Sequence, residues 1–397
     1  MGGVGGSSRP AYSRTMADRF NPLTQLTLDQ LRERSSAKWR RYDPDVLPLW
    51  VAEIDVPLAP AIEEALLRAV RDGDTGYPGD TPYVEAFSSF ASDMWGWTVA
   101  HDDVRPVSSV IAGYVDAVLE VTDAGGHFVV TPPVYPPFYS YLQQVDRQVL
   151  EAPLDADLRL DMAALETAFE TATAGNRRAA FLLCNPHNPG GVVHTRAELE
   201  AVAALASRYG VTVVADEIHA PIVYDEATFV PYLSVDPTGM ALHAASKAWN
   251  LAGIPAALHV FGTAATAVRD SYKAGAHHWP TLFGVIAQTA AYRDSREWLD
   301  DLLVGLDANR RLVADLVAEQ LPGARFHMPS STYLTWIDCR DLGLGDDPAE
   351  AFLERGRVAL NSGPTFGTGG AGHARLNIGT SPAILEEAVR RMAATVA

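Results

Sequence analysis

Cysteine is nearly absent from this sequence: Cys184 and Cys339 are the only two among 397 residues, and they lie far apart. Two isolated thiols do not support a disulfide framework and point to a reducing, cytoplasmic compartment. Long hydrophobic runs are also missing, and no apolar stretch reaches membrane-spanning length. Positive charge is scarce: 31 Lys and Arg stand against 49 Asp and Glu, a formal net charge of −18. Such a surface is a poor partner for nucleic acid or an anionic membrane. The one basic cluster, from Arg32 and Arg34 through Lys38 to Arg40 and Arg41, is short and interrupted by Glu33. It reads as a solvated helix face or a contact for a partner's acidic groups. No metal-ligand spacing appears, because the paired His277-His278 lack cysteine or acidic companions. Internal repeats are absent as well.

What is present is an ordinary globular composition, 48% hydrophobic and 20% charged, in a chain long enough for two domains. The start, "MGGVGGSSRP", is Gly/Ser-rich and lacks the apolar core of a signal peptide. Residues 1–15 are expected to be a disordered tail, with Met16 as the biological start. Residues 16–50 are expected to pack with a small C-terminal domain, 286–397, and 51–285 to form the large domain.

Between about 100 and 265, short apolar runs alternate with helical segments. "GHFVVT" (126–131), "RAAFLLC" (178–184), "VTVVAD" (211–216), "ALHAAS" (241–246) and "AALHVFG" (256–262) read as buried strands. "TRAELEAVAALASRYG" (195–210) reads as a helix capped by Thr195 with Glu198 and ended by Gly210. The spacing predicts an α/β fold: a mostly parallel sheet covered by helices on both faces. A helical stretch over 283–321, strands at 330–338 and 374–379, and helices at 347–356 and 382–396 predict a smaller α/β unit.

Chemistry in parallel α/β sheets collects beyond the carboxyl ends of the strands. "FLLC" is followed by Asn185-Pro-His-Asn188-Pro-Gly-Gly191, a rigid turn presenting Asn188. "VTVVA" is followed by Asp216-Glu217-Ile218-His219, whose buried acids need partners. "ALHAAS" is followed by Lys247 among small and apolar residues, where a desolvated amine becomes a nucleophile. Arg375 opens "RLNIG" and suits bidentate capture of a carboxylate. Singly, each has an ordinary structural explanation. Together they are what pyridoxal phosphate needs: an amine, a carboxylate for the ring nitrogen, a donor for the phenolic oxygen, and an arginine for an amino-acid substrate.

"NPHNPGG", "ADEIH", "SKAWNLAG" and "RLNIG" resemble the fold-type I pyridoxal-phosphate enzymes of the class I/II aminotransferase family, in order and over nearly the whole chain from about residue 20. "LPLWVAEIDVPLAP", "DEIHAPIVY" and "NSGPTFGTGGAGHARLNIG" look most like the cystathionine β-lyase-like carbon–sulfur lyase branch. The resemblance implies an aspartate aminotransferase-like fold, with 51–285 binding the cofactor. It implies Lys247 as the Schiff-base lysine, Asp216 on the pyridine nitrogen, Asn188 on the phenolic oxygen, and His219 near that oxygen or simply in the pocket wall. Tyr135 would stack on the ring. Ile111, Ala112 and Ser246 would lie at the cofactor, with backbone amides at the start of the helix near Val110 on its phosphate. Tyr77 would reach the phosphate of a neighbouring subunit, which implies a homodimer. Arg375 would grip the substrate carboxylate, helped by backbone near Glu53-Ile54-Asp55. Aromatics including Trp249 and Trp279, with His277 and His278, would shape the side-chain pocket.

The sequence departs from the family at Ala244, where a hydroxyl residue commonly contacts phosphate, and at Ala112, where several lyases carry a bulkier side chain. The implied reaction is α,β-elimination of a cysteine S-conjugate such as cystathionine to a thiol, pyruvate and ammonia. The rivals are transamination, a decarboxylating or oxidatively deaminating variant, and a non-catalytic protein that keeps the fold for binding.

Overall fold

The structure, a computed structural model, describes residues 20–79, 82–272 and 279–396. The expectations for residues 1–15, Met16, His277 and His278 fall outside the described residues.

The large sheet has seven strands: β1 (Val104–Val107), β2 (His127–Val130), β3 (Gln148–Glu151), β4 (Ala179–Cys184), β5 (Val211–Asp216), β6 (Met240–His243) and β7 (Ala257–Phe261). Their spatial order is β1-β7-β6-β5-β4-β2-β3. Only β7 runs against the rest, pairing antiparallel with both β6 and β1. The strands between β3 and β6 pair in parallel, as their continuous apolar runs require when both faces are covered.

Alternate residues divide between two cores. Phe181, Leu183, Val213 and Ala215 point to one face, and Ala180, Leu182, Val214 and Leu242 to the other. Helices α1 (Pro60–Asp72), α2 (Tyr83–Trp95), α3 (Val110–Val121) and α4 (Arg196–Tyr209) belong to this layer. The α4 ends are as the sequence predicts. Thr195 and Glu198 close a reciprocal capping box, and Gly210 takes the left-handed conformation at φ +67°.

Helix α5 (Leu282–Asp294) is followed by the 25-residue helix α6 (Arg296–Gln320), which packs on the last helix, α7 (Pro382–Val396). The smaller sheet is antiparallel and contains β8 (Arg325–His327), β9 (Leu334–Asp338), β10 (Asn361–Ser362) and β11 (His373–Asn377). Leu47–Pro48 pairs in parallel with Val358–Ala359, joining the N-terminal segment to this unit.

Three features differ from the sequence reading. The strand before Lys247 ends at His243, not Ser246, because the chain turns over Ala245–Asn250. Lys38 is not on a solvated face: its Nζ is buried 2.7 Å from Asp55 Oδ2 and donates to Glu53 O. Trp249 is fully buried in the core, packed with Phe90 and Tyr292 and donating to Ser295 O, so it shapes no pocket. Among the described residues no helix is long and apolar enough to cross a membrane, and both cysteines are free and buried.

Candidate active site

The carboxyl ends of β4, β5 and β6 open on one cavity of about 510 Å³. Asp216 is the last residue of β5, in register with Cys184 on β4 and Leu242 on β6. Asn188 sits in the turn that follows β4, where its backbone N–H donates to the Cys184 thiol. Lys247 lies four positions past the end of β6, in a turn fixed from outside. Gln288 Oε1 accepts the Ala245 N–H, and Asn250, at φ +56°, accepts the Ile54 N–H. Asparagine is among the few non-glycine residues that adopt this conformation readily.

Above these strand ends runs a strap, Trp50–Asp55, whose carbonyls accept from the site. Lys247 Nζ donates to Ala52 O at 3.3 Å, and the Tyr333 hydroxyl donates to the same oxygen. Arg375, on β11, donates to Trp50 O at 2.9 Å and to Asn188 Oδ1 at 3.1 Å. The backbone N–H groups of Glu53, Ile54 and Asp55 donate to Val51 O, Asn250 Oδ1 and Gly379 O. Glu53 O accepts from Lys38 and Asn377, and the Asp55 carboxylate holds Lys38 and the Trp39 indole.

The electrostatics follow from depth. Burial is the largest influence on each of the central groups. It raises the Asp216 carboxyl to about 7, against the opposing pull of the Ile218 N–H and Lys247. It lowers the Lys247 amine to about 8, helped by the Arg375 charge and resisted by Asp216 and Glu53. It lowers Arg375 to about 10 and raises Tyr135 to about 12. His219 is held far below the ordinary histidine range by burial and by the charges of Lys247 and Arg375, so its imidazole is neutral.

The structure brings together most of the residues expected from the sequence. Asp216, Lys247, Asn188 and Arg375 all line the cavity. So do His219, Tyr135, Ile111 and Ser246. Ala112 does not; its N–H is taken by the Ser109 hydroxyl. Tyr77 is 90% exposed on its own chain and does not reach this cavity. Trp279 is half exposed and lines none of it. Sequence reading missed Ser109, Cys184, Trp50, Asn361 and Thr365, which also face the cavity. Only Ser109 carried a local signal, as the N-cap of α3.

The donor set fits pyridoxal phosphate. Asp216 Oδ1 accepts from Ile218 N–H, and no described donor reaches its second oxygen. That carboxylate is matched to a protonated ring nitrogen. Asn188 spends its carbonyl oxygen on Arg375 and keeps its amide N–H groups for another acceptor. Arg375 Nε and His219 Nδ1 are buried without a partner among the described residues.

Comparison with known proteins gives a consistent result. Residues 75–392 match the family described as aminotransferase class I and II. A Mycobacterium leprae protein provisionally assigned as a cystathionine beta-lyase is 51% identical, over 94% of this chain and 97% of its own. The cystathionine beta-lyase of Corynebacterium glutamicum is 34% identical, over 93% of this chain and 99% of its own. A solved structure from Corynebacterium diphtheriae, provisionally assigned as a PLP-dependent beta-cystathionase, superposes with a TM-score of 0.87 at 34% identity, covering 94% of this chain and 98% of that one.

Proposed function

The chain belongs to the class I and II aminotransferase family of fold-type I pyridoxal-phosphate enzymes, and from that premise we propose that it is a carbon–sulfur β-lyase. It converts a cysteine S-conjugate of the cystathionine kind, with water, to a thiol, pyruvate and ammonia. The observation that carries this reading is the amine of Lys247, lowered to about 8 by burial, opening on the same cavity as Asp216 and Arg375, in a chain 34% identical to the cystathionine beta-lyase of Corynebacterium glutamicum.

Pyridoxal phosphate, when bound, supplies an electron sink for the charge left on the substrate's α carbon after its proton departs. Lys247, Asp216, Asn188 and Tyr135 are the residues that would hold it. Arg375 grips the substrate α-carboxylate and fixes the α carbon over Lys247. Lys247, neutral above about 8, takes the α proton as general base. The bond from the β carbon to sulfur then breaks, and sulfur leaves with the electron pair as thiolate. His219 lines the cavity as a neutral imidazole, its charged form disfavoured by burial and by the charges of Lys247 and Arg375.

Transamination begins with the same proton removal by Lys247, so it is the rival outcome. The test supplies L-cystathionine to the holoenzyme with no keto acid. The proposal expects free thiol and pyruvate. Amine transfer that appears only after a keto acid is added, with no thiol, contradicts it.

The proposal extends to a homodimer. Tyr77 is 90% exposed, and the preceding helix α1 exposes Leu67 and Val70, a surface suited to a second copy in which Tyr77 reaches the neighbouring cofactor phosphate. The compartment that fits two free, buried thiols is the cytoplasm.

A further inference from the structure

An elimination site holds two halves of its substrate, the amino acid and the sulfur arm that leaves. Among the described residues the charged side chains on the cavity wall are Asp216, Lys247 and Arg375. In the proposed reaction all three serve the cofactor and the amino-acid half. The sulfur arm therefore meets neutral groups, and their nature decides which arm fits.

Arg375 sets the direction of that arm. With the α-carboxylate on Arg375 and the α carbon over Lys247, the β carbon and its sulfur face the wall around the arginine. The strap contributes Trp50, whose carbonyl accepts from Arg375 at 2.9 Å. β10 contributes Asn361, the cross-strand partner of Arg375. The turn after β10 contributes Thr365, next to Phe366, whose ring centroid lies 5.1 Å from the guanidinium. Phe366 O accepts the Val134 N–H, which brings up the segment that carries Pro136 and Pro137. Trp50, Pro136, Pro137, Asn361 and Thr365 all line the cavity. The Thr365 hydroxyl donates to Ser362 O at 2.6 Å, so its proton is engaged within its own turn. An indole and two proline rings are the large surfaces that remain.

The indole is held by its neighbours. The Arg41 guanidinium lies 5.4 Å from the Trp50 ring centroid, and the Tyr42 ring meets it edge-on at 6.0 Å. Neither of these residues lines the cavity.

We infer that the leaving thiol is an apolar one, and that Trp50 with the two prolines selects S-alkyl and S-aryl conjugates of cysteine over cystathionine. The cystathionine arm ends in an ammonium and a carboxylate. Both would shed water against a wall that offers no opposite charge among the described residues. An alkyl or aryl arm gains with each carbon it buries on the indole. Cystathionine remains a substrate, turned over less efficiently. The inference rests on the proposed elimination and names the arm that it expels.

The test compares kcat/KM, by pyruvate release from the holoenzyme, for S-methyl-, S-propyl- and S-(3-methylbutyl)-L-cysteine and for L-cystathionine. The 3-methylbutyl arm matches the cystathionine arm up to its branch point, with methyl groups in place of the two charged groups. It should exceed L-cystathionine about tenfold or more, and the alkyl series should rise about two- to fourfold per added carbon. Trp50→Ala keeps the backbone carbonyl that holds Arg375. It should remove most of the rise along the series while leaving S-methyl-L-cysteine near the wild-type value, which also reports an intact site. The same compounds titrated against holoenzyme, followed by visible absorbance, rank the arms by affinity whether or not they are eliminated. Failure of the proposed reaction is thereby read apart from failure of this inference. The inference is overturned if L-cystathionine equals or exceeds the 3-methylbutyl conjugate; loss of that advantage in Arg41→Ala would then place the distal carboxylate on Arg41. It is overturned equally if Trp50→Ala leaves the ranking unchanged.

Discussion

At the scale of single residues, the question is what a lysine gains from a buried turn. Lys247 loses solvation and sits near Arg375, which together bring its amine from 10.5 to about 8. The sign is that of a depressed cation: the neutral, nucleophilic form appears more than two pH units earlier than for an exposed lysine. The rate at which apoenzyme captures pyridoxal phosphate should therefore rise with pH up to about 8 and then level. A rate still climbing at the pH of an ordinary lysine contradicts the assigned environment. Asp216, Lys247, Asn188 and Arg375 were legible in the sequence because each interrupts an apolar run or a turn with a residue that burial alone disfavours. Trp50 and Thr365 were not, because nothing nearby in sequence distinguishes them from ordinary residues, and the N-cap signal at Ser109 marks a helix start rather than a cavity wall. Only tertiary structure brings them to the cavity.

At the scale of elements, the strap Trp50–Asp55 links the N-terminal segment to the chemistry. Lys38 is sealed against Asp55, Trp39 donates to the same carboxylate, and the strap's carbonyls in turn receive Lys247 and Arg375. Lys38→Met leaves the Asp55 charge buried without its partner. It should cost about 3–5 kcal/mol of stability, read by denaturant unfolding. It should also raise KM, because the acceptor for Arg375 shifts. Unchanged stability would mean that Asp55 finds water or another cation.

The strands show where sequence patterns succeed. β4 and β5 are buried on both faces and read as unbroken apolar runs. β1 escaped notice because Arg105 and Pro106 interrupt it, and β3 because it is a partly exposed edge strand with Gln148 and Glu151 at its ends. The end of β6 was misplaced because Ala244 and Ala245 suit a strand or a turn equally. That choice is made by Gln288 accepting the Ala245 N–H, a contact supplied by a helix 43 residues away in sequence.

At the scale of the whole molecule, buried histidines set the acid limit. His187 and His259 are lowered to about 3 and His194 to about 4, burial being the main cause in each. The unfolded chain takes up protons near 6.5 while the folded chain does not, so stability falls as pH drops below 6.5. His259 isolates the effect. Among the described residues neither ring nitrogen has a partner, the ring stacks on Phe261 and meets the edge of Tyr272, and Arg105 opposes any positive charge there. His259→Phe should gain about 2 kcal/mol at pH 5 relative to its effect at pH 8. Equal effects at the two pH values would show that the imidazole finds a partner.

The assembly is a second prediction at this scale: light scattering should give twice the 42.8 kDa chain mass. Tyr77→Phe should weaken pyridoxal phosphate without lowering the melting temperature of the apoenzyme. A monomer, or a Tyr77→Phe variant with wild-type cofactor affinity, contradicts the shared site.

The central claim is that one site, with Lys247 as its base, eliminates a thiol from a cysteine S-conjugate. The most direct measurement counts pyruvate and thiol released over many turnovers by the wild type and by Lys247→Ala. Both are supplied with pyridoxal phosphate and L-cystathionine, with no keto acid present. One pyruvate per thiol from the wild type, and neither from Lys247→Ala, is the predicted result. Continued release of both by Lys247→Ala, or no release by a wild type that transfers its amine once a keto acid is added, would contradict it.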